Sequence, residues 1–229
     1  MADRPIIFSA PMVRALLEGQ KTQTRRIIQQ PDMDGGERWV KYPSGWVLSV
    51  NAEDEYRRRI PYAPGDRLWV REAFIGPYAY EVNEYPPRDW GNKPIWFPAD
   101  GPAPEKHAGQ FWHRARPSIH MPRWASRLTL TVTDVRVQRL QDISEADAIA
   151  EGIVPVTRRF PPLQGCLNQL RERTMYEWSG GWSVRAADAY AALWNSLHGP
   201  GAWDANPWVV ALTFTVQRGN IDQLPGVAG

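Results

Sequence analysis

The stretch RLTLTVTDVRVQRL, residues 127–140, alternates apolar and polar side chains and predicts a long β-strand. Its apolar residues occupy alternate positions up to Val132 and then resume at Val135, one position out of step. One extra residue turns the following side chains to the opposite face of a strand. The pattern therefore predicts a bulge or bend near Thr133 and Asp134.

Other segments with regular patterns lie on both sides of this strand. Further strands are predicted at residues 5–8, 65–72 and 208–216, and helices at residues 9–18, 144–152 and 183–198. Ser9 and Ser144 stand at helix-capping positions, and Gly19 and Gly152 follow the same two helices. The sequence predicts an α+β protein that is mainly β, with short helices.

Three long stretches interrupt this pattern, at about residues 30–62, 73–123 and 155–182. They are rich in Pro, Gly and aromatic residues, and the chain as a whole contains 12 Trp and 21 Pro. Such composition indicates ordered, aromatic-lined loops more than disorder. We expect long loop insertions on a single domain that spans residues 1–229.

Charge and cysteine content exclude several classes of protein. The 27 basic and 25 acidic residues leave a formal net charge of +2, too small to imply nucleic-acid binding by charge alone. The one cysteine excludes an internal disulfide framework and a cysteine-rich zinc site. Without a signal-peptide pattern or an apolar stretch of membrane-spanning length, we expect a cytoplasmic protein with no membrane partner.

The segment GQKTQTRR, residues 19–26, concentrates polar chemistry directly after the first predicted helix. It brings a lysine, two hydroxyls and two arginines together, a set suited to catalysis or to anion recognition. The alternative is a solvated basic loop, because cations interact favourably with a helix dipole at its C-terminal end.

The order of four motifs resembles the ASCH family, a small β-barrel fold related to PUA domains. The motifs are Gly19-x-Lys21-x-x-Thr24, Gly65-Asp66-x-Leu68-x-Val70, the threonine-rich strand at 127–140, and Ile143-Ser144-Glu145-x-x-Ala148-x-x-Glu151. The matching segments cover well under half of the chain: about residues 5–29, 64–72, 127–154 and 208–218. The long tryptophan-rich insertions are similar to those of phage or prophage members.

The resemblance implies an activity, because bacterial N(4)-acetylcytidine amidohydrolases of this family use a lysine, a threonine and a glutamate. The corresponding residues here are Lys21, Thr24 and Glu151. It assigns Thr24 as the nucleophile, Lys21 as the base and Glu151 as the proton donor to the leaving amine. A lysine can act as a base when desolvation or nearby positive charge lowers its pKa, and Arg25 and Arg26 can supply that charge. No metal or organic cofactor is implied.

Five residues are candidates for substrate binding: Arg25, Arg26, Thr22, Trp69 and Trp124. Aromatic side chains commonly stack on unpaired bases, although core packing is the ordinary role of tryptophan. Thr22 also competes with Thr24 for the role of nucleophile. Exposed glutamates at helix ends are common, which leaves an ordinary surface role open for Glu151.

The expected function is hydrolysis of the exocyclic N(4)-acyl amide of an acylated cytidine or cytosine, with a small nucleoside or base as substrate. An RNA-binding ASCH module without catalysis is the main alternative, and a ribonuclease is a third. The motif does not separate these functions, because all three would use the same cleft.

Overall fold

The computed structural model describes residues 2–28, 38–42, 45–49, 58–78, 95–102, 111–112, 115–160 and 171–224. The predicted α+β class is confirmed, and the described part contains more strand than helix, with 41% strand and three α-helices. None of the helices in these ranges is long and apolar enough to cross a membrane.

The strands and helices follow one another closely along the chain. The strands are β1 Asp3–Ile7, β2 Gln23–Ile27, β3 Arg38–Tyr42, β4 Gly45–Ser49, β5 Arg58–Arg59, β6 Arg67–Arg71, β7 Pro77–Tyr78, β8 Phe111–Trp112, β9 Leu128–Arg139, β10 Val154–Phe160, β11 Arg171–Trp178, β12 Gly181–Ser183 and β13 Trp208–Arg218. The helices are α1 Ala10–Leu17, α2 Glu145–Ala150 and α3 Ala186–His198. The seven predicted elements are present, with ends that shift by at most three residues.

The chain divides into two compact units, each made of separate sequence segments. Unit 1 contains Met1–Gly19, Ala63–Thr133 and Phe214–Gly229, and unit 2 contains Gln20–Tyr62 and Asp134–Thr213. Strands β9 and β13 contribute residues to both units. The single domain expected from the sequence stays a prediction.

Unit 1 is built on paired strands and the first helix. β1 runs parallel to β6, with Pro5 opposite Trp69, and β6 runs antiparallel to β9, with Leu68 opposite Leu130. α1 ends before Gly19, whose φ of 73° favours a residue without a Cβ atom. The buried apolar residues of these elements form the core of the unit.

In unit 2, β2 lies antiparallel to β13, with Thr24 opposite Leu212 and Arg25 opposite Ala211. An apolar cluster packs α2 and α3 together beside this pair of strands. Its buried members are Leu140, Ile143, Ala148, Ile153, Ala186, Ala189, Tyr190, Trp194 and Val209. This cluster holds the end of α2 in place.

The described parts of the three predicted insertions contain paired strands. β3, β4 and β5 form a sheet within residues 30–62, and β7 pairs with β8 within 73–123. β10, β11 and β12 form a sheet that covers the described part of 155–182 and extends one residue beyond it at each end. The insertions also contain turns of 3-10 helix at Pro98–Asp100 and Ser118–His120. Residues 30–37, 43–44, 50–57, 79–94, 103–110, 113–114 and 161–170 lie outside the described ranges. The sequence identified these stretches by Pro and Gly, and short strands between such residues leave little periodicity to detect.

The predicted irregularity in β9 is confirmed by its hydrogen bonds. Gly219 N–H donates to Arg127 O, and Leu140 N–H donates to Pro207 O. The stretch from Arg127 to Leu140 therefore has one residue more than the stretch from Pro207 to Gly219 that it faces, as a bulge requires. The buried apolar positions change phase between Val132 and Val135, where the sequence placed the bulge.

Candidate active site

Lys21 and Glu151 form a buried ion pair in unit 2, although 130 positions separate them in the sequence. Lys21 Nζ lies 2.6 Å from Glu151 Oε2 and 2.8 Å from the Glu151 carbonyl oxygen. The residues are 1% and 5% exposed. Burial of two charges is costly unless they are paired and hydrogen-bonded, as these two are.

Local backbone structure brings the pair together. Glu151 is the C-terminal cap of α2, and Gly152 follows it with a φ of 103°. Ser144 Oγ accepts a hydrogen bond from Asp147 N–H at the start of the helix. Thr22 N–H donates to Ala150 O over 2.8 Å. This backbone bond fixes the residue after Lys21 against the residue before Glu151.

Arg25 occupies the other oxygen of the Glu151 carboxylate. Arg25 Nη1 donates to Glu151 Oε1 over 3.0 Å, and Arg25 Nη2 donates to Asp147 Oδ2 over 3.1 Å. Arg136 contacts both oxygens of Asp147, at 2.9 and 3.2 Å. Gln23 accepts a 2.6 Å bond from Arg25 Nη1 and donates to Asp147 Oδ1 over 3.2 Å. The carboxylates thus alternate with cations in one connected network.

The surroundings of Lys21 favour its neutral form. Burial lowers the pKa of Lys21, the negative charge of Glu151 opposes this, and the charges of Arg26 and Arg25 add to the lowering. A lysine with a lowered pKa supplies a larger neutral fraction, which is the form that accepts a proton.

Asp147 is held in its ionised form. Burial works against ionisation, but hydrogen bonds from Arg136 and Gln23 outweigh it. Together with the charges of Arg136 and Arg25 they lower the pKa of Asp147 from 3.8 to about 2. Asp147 therefore carries a negative charge at every pH at which the protein would ordinarily work.

Tyr190 and Arg26 are two further titratable residues near the pair. Tyr190, on α3, is 4% exposed, and burial together with the charge of Glu151 raises the pKa of its hydroxyl, which stays neutral. The Arg25 guanidinium carbon lies 5.8 Å from the centre of the Tyr190 ring. Arg26 is half-buried. Burial lowers the pKa of its guanidinium, and the negative charge of Glu151 partly offsets this lowering.

Thr24 is buried at 1% exposure on β2, three residues from Lys21. Side chains alternate along a strand, so Thr24 and Arg26 point to the face opposite Gln23 and Arg25. None of the hydrogen bonds described above uses the Thr24 hydroxyl. Thr22 is exposed and enters the site through its backbone N–H. The structure therefore brings Lys21 and Glu151 into contact, and the nucleophile stays a prediction.

The two tryptophans predicted to stack on a base belong to unit 1. Trp69 is 8% exposed on β6, with the Arg71 guanidinium carbon 5.3 Å from the centre of its ring. Trp124 is 36% exposed on a single turn of 3-10 helix, Arg123–Ala125. Trp124 has the more accessible ring of the two, and the role of both in substrate binding stays a prediction.

Sequence reasoning missed four members of the network: Gln23, Arg136, Asp147 and Tyr190. One signal was present in the sequence, because Asp147 precedes Glu151 by four residues and side chains at this spacing share a helix face. Gln23 and Arg25 likewise share one face of β2. Arg136 and Tyr190 come from β9 and α3, and no local pattern connects them with α2.

Comparison of the chain with protein families, with curated proteins and with solved structures finds no match. Within the described ranges, no group of three or more His, Cys, Asp or Glu side chains is arranged to hold a metal ion.

Proposed function

We propose that this protein is an amidohydrolase that cleaves the exocyclic N(4)-acyl amide of an acylated cytidine or cytosine, on a domain of the PUA-like ASCH type. One observation carries the proposal. Lys21 Nζ and Glu151 Oε2 share a buried 2.6 Å hydrogen bond, the contact expected of a base and an acid that exchange one proton. The two groups come from the two motifs that suggested the activity.

In the first step, Thr24 Oγ attacks the acyl carbon of the substrate as its proton passes to neutral Lys21. The carbon–oxygen π electrons move to the acyl oxygen, which becomes an oxyanion. A threonine hydroxyl is a weak nucleophile without such a base. The lowered pKa of Lys21 supports this role.

In the second step, the oxyanion collapses and the carbon–nitrogen bond breaks. The proton taken by Lys21 passes along its hydrogen bond to Glu151 and from there to the departing exocyclic nitrogen of cytosine. An acyl ester of Thr24 remains. Water attacks this ester with Lys21 again as the base, which releases a carboxylic acid and returns the proton to Thr24.

Charge near the pair supports stabilisation of the oxyanion. Arg25 and Arg26 lie next to Thr24 in the chain, and both act electrostatically on Lys21. A preorganised cation in a buried site stabilises developing negative charge strongly, because little water screens it. We assign Arg26, on the same face of β2 as Thr24, to the acyl end of the substrate, whereas buried Arg25 acts on the site through its charge.

The test is release of cytidine from N(4)-acetylcytidine by the purified protein. Lys21→Ala, Thr24→Ala and Glu151→Gln are each expected to lower kcat at least about 100-fold, the usual scale for loss of general acid–base catalysis. The matched controls are Lys41→Ala, Thr157→Ala and Glu172→Gln, at exposed residues outside the site. Circular dichroism establishes that each variant is folded.

Turnover by the wild type and the controls, together with loss in the three folded variants, would support the proposal. A wild type that is inert on acylated nucleosides and bases would overturn it. Salt-dependent binding of RNA without turnover would then favour the RNA-binding alternative, and cleavage of that RNA would favour a nuclease.

A further inference from the structure

Asp147 stands one contact away from the Lys21–Glu151 pair. Its carboxylate binds Arg25, and Arg25 binds the Glu151 oxygen that Lys21 leaves open. Glu151 N–H donates to the Asp147 carbonyl oxygen as part of α2, and among the side-chain contacts of the described residues the Asp147 carboxylate reaches the pair through Arg25. The charge of Asp147 therefore acts on the pair mainly through Arg25.

Arg25 has no freedom to change this arrangement. Its side chain is 0% exposed, and its two terminal nitrogens are committed to Glu151, Gln23 and Asp147. A guanidinium does not lose its proton at any ordinary pH. Its positive charge is permanent, and its effect on Lys21 depends on how far Asp147 balances it.

We propose that Asp147 is a positioning residue for this site: by holding and balancing Arg25, it keeps Glu151 on Lys21 and sets the charge that Lys21 carries. The proposal rests on the proposed amidohydrolase function, because the charge of Lys21 matters only if Lys21 transfers protons. Asp147 touches no reacting atom in this scheme. It acts through Arg25.

The charged and titratable groups around Lys21 determine the sign of the effect. They are Glu151 and Asp147 on α2, Arg25 and Arg26 on β2, Arg136 on β9, Tyr190 on α3, and, around Arg26, Tyr62 and His198. Loss of the Asp147 charge leaves Arg25 unbalanced beside Glu151. The protonated form of Lys21 then loses stability, and the pKa of Lys21 falls further.

The composition of the chain makes this measurable without any substrate. The protein contains only four lysines: Lys21, Lys41, Lys93 and Lys106. Protein labelled with 13C and 15N at the ends of its lysine side chains gives four signals, and Lys21→Arg identifies one of them by its loss. Titration of this signal in wild type and in Asp147→Asn gives the pKa of Lys21 directly.

The expected result is a lower pKa of Lys21 in Asp147→Asn, with Lys41 unchanged. Arg136→Gln removes a positive charge from Asp147 and is expected to shift the pKa of Lys21 the other way. In an Arg25→Gln background, the effect of Asp147→Asn is expected to shrink, since the connecting group is gone. This double variant separates transmission through Arg25 from a direct long-range charge effect.

An unchanged or raised pKa of Lys21 in folded Asp147→Asn would overturn the proposal, as would an effect of full size in the Arg25→Gln background. If Asp147→Asn does not fold, the upward shift in Arg136→Gln decides alone, because Arg136 is 38% exposed. In turnover assays, the acidic limb of the kcat/KM profile is expected to move to lower pH in Asp147→Asn. The lysine titration needs no substrate, so it tests the role of Asp147 even if N(4)-acetylcytidine is not turned over.

Discussion

Glu72 in unit 1 and Glu151 in unit 2 are both buried carboxylates paired with cations, but the cations differ between the two. Glu72 is 1% exposed and takes both of its hydrogen bonds from one guanidinium, that of Arg127, at 2.8 and 3.0 Å. Arg127 also donates a hydrogen bond to Asp100, and its guanidinium carbon lies 4.1 Å from the centre of the Phe97 ring. Every cation in this cluster is an arginine.

Glu151 divides its oxygens between a lysine and an arginine. Lysine can lose its proton when it is buried, whereas arginine cannot. The Glu72 cluster therefore has no cation that can lose its proton at neutral pH, and the Glu151 cluster has one. Burial and short distances are common to both, so the identity of the cation is what separates a structural pair from a candidate acid–base pair.

The largest expected effect comes from replacing the buried glutamate of each cluster. Glu151→Gln is expected to lower kcat at least about 100-fold through loss of proton transfer, and Glu72→Gln to leave kcat unchanged. The measurement is cytidine release by both folded variants under the same conditions. Equal losses in the two variants would remove the functional distinction between the clusters.

The second effect is on stability in unit 1. Arg127→Ala leaves Glu72 buried without its partner and is expected to lower the free energy of unfolding by about 3 kcal/mol. Urea denaturation measures this loss. Arg159→Ala, at a side chain that is 72% exposed, is the control and should change stability by less than about 0.5 kcal/mol. A loss of control size in Arg127→Ala would contradict the structural role of the Glu72 cluster.

The third effect is the response of stability to pH, which has opposite signs in the two clusters. The pKa of Asp147 is about 2 in the folded protein against an ordinary 3.8, so its contribution is complete above pH 3.8 and is lost as pH falls toward 2. Burial raises the pKa of Glu72 above its ordinary 4.5, against the opposing bonds from Arg127. Its contribution is present below pH 4.5 and is lost as pH rises through the raised value.

Urea denaturation across pH 2 to 8 tests these signs. Asp147→Asn is expected to flatten the fall in stability below pH 3.8, and Glu72→Gln to flatten a fall above pH 4.5. The two variants serve as controls for each other. If stability depended on pH in the same way in both variants, neither carboxylate would have the shift in pKa that its surroundings predict.

The smallest effect belongs to an ion pair on the protein surface. Arg159 Nε lies 2.9 Å from Glu172 Oε1, and both side chains are more than half exposed. A double-mutant cycle of Arg159→Ala and Glu172→Ala is expected to give a coupling below about 0.5 kcal/mol. A coupling as large as that of a buried pair would show that distance alone, without burial, accounts for the contrast.

The sequence predicted the elements that have strong periodicity. β9, including its extra residue, follows from alternation alone, and α2 follows from its serine cap and closing glycine. Helix α3 begins at Ala186 rather than near Ser183, because Gly181–Ser183 forms β12. The strands in the insertions were not predicted, since short strands between Pro and Gly leave no periodic signal.

The candidate site was predictable only where residues lie close together in sequence. Lys21, Arg25 and Arg26 form one local cluster, and the resemblance assigned Lys21, Thr24 and Glu151 to one site without predicting a direct contact of Lys21 with Glu151. Arg136 and Tyr190 join the site through tertiary packing of β9 and α3. Long-range pairing of this kind has no signature in one sequence, which is why Asp147 and its partners were missed.

Lys21 is essential in this scheme because it can lose a proton. Lys21→Arg separates that property from positive charge, since arginine keeps the charge and can still bind Glu151 but does not act as a base at neutral pH. The expected result is a folded variant that does not release cytidine from N(4)-acetylcytidine, beside an active wild type. Turnover by Lys21→Arg at the wild-type rate would show that residue 21 transfers no proton in the reaction.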